Sequence, residues 1–118
     1  MARVAALVPD LLFGSKLQAA LGQAGHDVRL LTAEPADWGA LAGLDVLVVD
    51  LTTDQLDGAR VVAALRAGGA AGVRTLGFFA HVQPEVRERA LQAGFDQVVP
   101  RSRMAREGAD LVSRLAAA

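Results

Sequence analysis

Val46-Leu47-Val48-Val49-Asp50, followed by Leu51-Thr52-Thr53-Asp54-Gln55-Leu56-Asp57-Gly58, is the stretch that decides how this chain is read. An apolar run with no polar alternation describes a strand buried on both faces, as in a parallel sheet covered by helices on each side. A carboxylate placed where such a run stops lies at the C-terminal edge of the sheet. Open α/β sheets keep their sites at that edge. Asp50 is therefore the first residue to suspect of chemistry.

Working outward, apolar runs alternate with segments of helical period. Residues Val4 to Val8, Val28 to Leu31, Val46 to Val49, Val73 to Phe79 and Gln97 to Val99 read as strands. Ser15 to Ala24 reads as a helix with Leu17 and Leu21 on one face, Ser15 as its N-cap and Gly25 as its stop. Glu34 to Ala42 gives a short second helix containing Trp38. Ala59 to Ala67 gives a third, halted by Gly68-Gly69. Pro84 opens a fourth that ends at Gly94, and a fifth carries Met104, Leu111, Val112 and Leu115. Strands and helices in alternation, joined by right-handed crossovers, predict an α/β fold: a flavodoxin-like, doubly wound five-stranded parallel sheet in the order 2-1-3-4-5 with five flanking helices. Residues 1–118 form a single domain in this reading.

Composition narrows the function classes. The 118 residues are 53% hydrophobic and 21% charged, and no apolar run approaches the ~20 residues of a membrane span. A net charge of -1 argues against a general electrostatic grip on nucleic acid. With no cysteine, disulfides, thiolate metal sites and cysteine nucleophiles are excluded, and a cytoplasmic location is expected. The apolar N-terminus is too short for a signal-peptide core and runs straight into Pro9-Asp10, so it reads as a strand. The loop from Val8 to Ser15 carries neither a dinucleotide fingerprint nor a P-loop lysine.

In the 2-1-3-4-5 topology the switch point lies between the first and third strands, which puts Asp10 and Asp50 at one edge. Asp50-x6-Asp57-Gly58 after a buried strand, an acid after the first strand, and Leu91-Gln92-Ala93-Gly94 before the fifth strand together resemble the response-regulator receiver domain (CheY-like) over the whole chain. The resemblance implies that Asp50 is the phospho-acceptor for a histidine kinase and that Asp10 belongs to an acidic pocket for Mg²⁺. It also implies that Arg101 stands where the family has lysine. Pro9 replaces the second acid usually found after the first strand, leaving Asp10 and Asp50 as a weak Mg²⁺ site, since that ion is commonly held by one or two carboxylates together with phosphate oxygens.

Other positions depart from the family's pattern. Its hydroxyl residue at the end of the fourth strand falls on Phe79, its switch aromatic on Val98, and the proline after its lysine on Ser102. The expectation is therefore a degenerate receiver, or pseudo-receiver: a stand-alone signalling module rather than an enzyme, with phosphorylation at Asp50 absent or inefficient. It would need no cofactor, or only weakly bound Mg²⁺. Its partners would be a kinase, an output protein or a second copy, met through the fourth helix, fifth strand and fifth helix. A phosphorylatable single-domain response regulator is the alternative. A small flavodoxin-like ligand-binding domain is a second one.

The remaining polar residues have plainer readings. Asp57 orders the turn before Gly58, Asp54 is solvated and His26 is structural. His81 sits on the functional edge without a histidine partner. Trp38 packs in the core, and Phe13 covers the pocket or packs beneath it. Arg101, Arg103 and Arg106 open the last helix, a position cations do not favour. In this reading Arg101 neutralises Asp50, and the other two form a solvated face or a patch for an acidic partner.

Overall fold

The computed structural model describes residues 2–41, 43–68, 72–80 and 84–118. Among them the strands are β1 (Arg3–Leu7), β2 (Asp27–Leu31), β3 (Val46–Asp50), β4 (Arg74–Phe79) and β5 (Gln97–Pro100). The α-helices are α1 (Leu11–Gln23), α2 (Gly58–Ala67), α3 (Pro84–Ala93) and α4 (Arg101–Ala117), with one 3₁₀ turn at Trp38–Leu41. All strand pairs are parallel and the order is β2-β1-β3-β4-β5, as the sequence predicts.

β3 is buried along its whole length because both of its faces are covered. Val46 and Val48 pack with Val4, Ala6, Leu76 and Phe78 against Leu17 and Leu21 of α1 and Met104, Leu111 and Val112 of α4. Leu47 and Val49 point the other way, with Leu7, Val61, Leu65, Phe95 and Val98, against α2 and α3. Each such valine or leucine removed from water contributes about 1.5–3 kcal/mol, so the run is where the sheet's stability is concentrated.

One expected helix is absent among the described residues. The segment proposed as the second of five helices, Glu34 to Ala42, makes only the 3₁₀ turn, and Ala42 lies outside the described residues. Pro35 and Gly39 are poor helix formers, and the Asp37 carboxylate accepts the Gly39 amide at 2.8 Å, a local turn that competes with helix. Trp38 is nonetheless buried in the core, as expected. The first helix starts earlier than Ser15, because Asp10 caps it by accepting the amides of Leu12 and Phe13 at 3.0 and 3.2 Å.

The N-terminal edge of the sheet is tied by polar side chains. Asp96 Oδ2 accepts the Thr75 amide at 2.7 Å and the Thr75 hydroxyl at 3.2 Å, and Arg66 and Arg74 flank the carboxylate at 3.7 and 3.8 Å. Thr75 therefore stands at the edge opposite Asp50. His26 accepts the Ala2 amide at Nδ1, 3.2 Å away, so its neutral ring carries the proton on Nε2 and donates to Ser113 Oγ at 2.9 Å. That is the structural role expected of it.

At the C-terminal edge, the residue after Asp50 is seated by glycine. Leu51 continues the ladder by donating its amide to the Phe78 carbonyl at 2.9 Å, and its side chain lies over Gly77 and Gly58 beside Phe95. A Cβ at position 77 would meet Leu51 Cδ1 at 2.7 Å and Phe95 Cδ1 at 3.3 Å. Gly77→Ala is expected to lower stability by about 1–3 kcal/mol through overpacking, read as a shifted urea midpoint with an unchanged m-value.

Candidate functional site

The site is built where β1 and β3 end side by side. Their register pairs Leu7 with Val49, so Asp50 closes β3 at the edge from which the Asp10 loop leaves β1. Asp50 is only 3% exposed, as expected of a residue at the end of a doubly covered strand. Its Oδ1 accepts both the amide and the hydroxyl of Thr52, at 2.7 and 2.5 Å. This turn is the local bond by which an aspartate orders the residue two positions on. Oδ2 has no partner among the described residues.

Asp10 is committed differently. One oxygen caps α1, and the other, Oδ2, receives Arg101 Nη2 at 3.4 Å. The Phe13 amide holds its carboxyl below the ordinary carboxylate value against the opposing effect of burial, and the Leu12 amide and the charge and hydrogen bond of Arg101 add to the lowering.

Arg101 opens α4 directly after β5, two strands away from β1. Its side chain nonetheless meets Asp10. It also lies over an aromatic face: the guanidinium carbon is 4.2 Å from the Phe13 ring centroid. Phe13 in turn meets Phe78 at a 5.2 Å centroid distance and a 47° tilt. Phe78 is the register partner of Asp50. The expectation that Arg101 neutralises Asp50 is thus corrected: its partners among the described residues are Asp10 and Phe13. A guanidinium resting on an aromatic face while hydrogen-bonded at its rim gains more there than a compact ammonium would.

Phe79 ends β4 opposite Pro100 and is buried on the α2 and α3 face, so the position expected to lack a hydroxyl presents an aromatic ring to the core. Val98 is buried on the same face. Asp57, read as ordering a turn, caps α2 by accepting the Arg60 amide at 3.3 Å, and Asp54 is exposed, as expected. Arg103 and Arg106 share Glu107 at 3.5 and 3.9 Å, which makes them part of a solvated charged face. His81 lies outside the described residues.

A groove of about 750 Å³ lies beside the site, between the loop after β3 and the start of α3, lined by Leu51, Leu56, Phe79, Val86 and Phe95 with Thr52 and Arg89 at its polar margin. No group of three or more His, Cys, Asp or Glu residues could hold a metal among the described residues. The two carboxylates expected to bind Mg²⁺ are already committed, Asp10 through both oxygens and Asp50 through one, so the donor set as arranged does not fit the ion.

Thr52 is the residue the sequence reading passed over. Its signal was present: a threonine two residues after a strand-ending aspartate suits this turn. The Phe13–Phe78 contact carried no such signal, because it joins residues far apart in the chain.

No family model matches the chain, and no curated protein matches it. Solved structures do. The signal receiver domain of the response regulator NarL from Mycobacterium tuberculosis matches with a TM-score of 0.81 at 26% identity, covering 98% of this chain and 96% of that one. The BeF3-activated DrrB receiver domain matches at 0.85 and 15% identity, covering 100% and 99%. A pilus assembly protein, CpaE, from Burkholderia thailandensis matches at 0.76 and 19% identity over 100% of both chains.

Because the lowered Asp10 pKa is tied to the cap and to Arg101, its sign fixes a pH dependence. The stabilisation is complete above the ordinary value of 3.8 and is lost as pH falls through the lower folded value. Asp10→Asn keeps a capping oxygen but no charge, and should flatten that part of the acid limb in urea unfolding measured as a function of pH.

Proposed function

We propose, from the receiver fold that spans the chain, that this protein is a pseudo-receiver: a signal-transduction module that works by protein contact, with phosphorylation at Asp50 absent or inefficient. One observation carries this reading. The polar groups of the edge are engaged locally, Arg101 with Asp10 and one oxygen of Asp50 with Thr52, instead of converging on a place for a phosphoryl group. Phosphoryl transfer depends on donors aimed at the developing charge, and each one missing costs about 10²- to 10³-fold in rate. Phe79 offers no donor where the resemblance expects a hydroxyl.

The proposed contact surface is the one formed by α3, β5 and α4, and the partner is a kinase, an output protein or a second copy. A cytoplasmic location is proposed with it; among the described residues no helix is long and apolar enough to cross a membrane. Leu11 and Leu12, 62% and 69% exposed, add apolar contact area beside Asp10.

The alternative, a phosphorylatable response regulator, draws support from the second oxygen of Asp50, which has no partner among the described residues. Intact-protein mass after incubation with acetyl phosphate and Mg²⁺ separates the two. The expected result is no gain, or a slow and partial one, in a protein shown to be folded. A rapid gain of one phosphate that Asp50→Ala abolishes would establish the alternative.

A further inference from the structure

We infer that Arg101 is the resident cation of this edge, paired with the Asp10 oxygen on which a divalent metal would otherwise settle, so that the protein does not bind Mg²⁺. The inference uses the receiver fold only for the expectation of a metal, and it holds whether or not Asp50 is phosphorylated.

Two observations converge on Arg101. Its Nη2 is 3.4 Å from the one Asp10 oxygen that does not cap α1. Its guanidinium lies on the Phe13 ring, which rests on Phe78 in the core, so the cation is held from below as well as from the side.

The ion pair alone is too exposed to exclude a competitor, since its side chains are 40% and 47% exposed and such pairs are weak. The charge itself is what excludes the metal. An ion bound to that Asp10 oxygen would lie within about 6 Å of the guanidinium, and a positive charge at that range lowers the affinity for a divalent ion about tenfold, even at the dielectric of water. Mg²⁺ is also reluctant to shed its water, and only one free oxygen of Asp50 would then remain to it. Removing the guanidinium would leave one oxygen of Asp10 and one of Asp50, the one or two carboxylates on which that ion commonly settles.

The test is metal binding itself. Isothermal titration with Mg²⁺ and electron paramagnetic resonance with Mn²⁺ are to be run on the wild-type protein, Arg101→Ala and Arg101→Gln, with folding checked by circular dichroism. The expected result is no saturable binding by wild type through the millimolar range. Both variants should bind at least about tenfold more tightly, and Asp10→Asn in the Arg101→Ala background should remove that gain. Binding by wild type equal to that of Arg101→Ala would overturn the inference, as would the failure of both Arg101 variants to gain it. An Asp50-dependent phosphate gain that persists in EDTA would sink the pseudo-receiver reading but support this one. Metal binding by a wild-type protein that takes up no phosphate would do the reverse.

Discussion

The burial of Val46 to Val49 on two faces is the constraint from which the rest of the molecule follows. A strand with no polar side needs a layer over each face, and in a parallel sheet only crossover helices supply both. Once β3 is central, β1 and β4 are its neighbours and the carboxylate that ends it is carried to the sheet's edge. That edge is also where the chain leaves β1 and where α4 begins. Asp10, Asp50 and Arg101 come from three separate parts of the chain; the sheet puts Asp10 and Asp50 at one edge, and Arg101 joins Asp10 there.

What happens at the edge is a matter of competing partners. Asp50, almost completely buried, sheds water and takes up the nearest donors, the amide and hydroxyl of Thr52. Asp10 is held by the α1 N-terminus, and Arg101, on the aromatic face of Phe13, completes it. The result is one ion pair, Arg101 with Asp10, beside an Asp50 carboxylate hydrogen-bonded through one oxygen to Thr52. A site meant to receive a phosphoryl group and a metal needs those same charges uncommitted. A site meant to be a fixed surface gains from committing them.

The hydrophobic residues around the site reinforce that rigidity. Phe79 and Val98 are buried on one face of the sheet and Phe78 on the other. Leu51 is wedged over two glycines, which leaves the residue following Asp50 little room to move. A pathway that passes a chemical event at Asp50 to a distant surface needs an element with two arrangements, and these contacts favour one. In the proposed function, the surface of α3, β5 and α4 is therefore presented to a partner in a single form.

Sequence by itself determined the sheet, its order, the layer on each face and the edge at which Asp50 and Asp10 meet, because strand burial and helical period are local patterns that hydrophobicity writes directly. It placed a local turn at Asp57, which the structure makes the cap of α2, and contained the signal for the Thr52 turn, but it put the cap of α1 at Ser15 instead of Asp10. It misread the span from Glu34 to Ala42, where Pro35, Asp37 and Gly39 tip a marginal helix into a 3₁₀ turn. Tertiary structure alone decided the partner of Arg101. A guanidinium on a flexible stem can choose between two carboxylates at one edge, and the choice of Asp10 rests on an aromatic surface that exists only once residues 13 and 78 are brought together by folding.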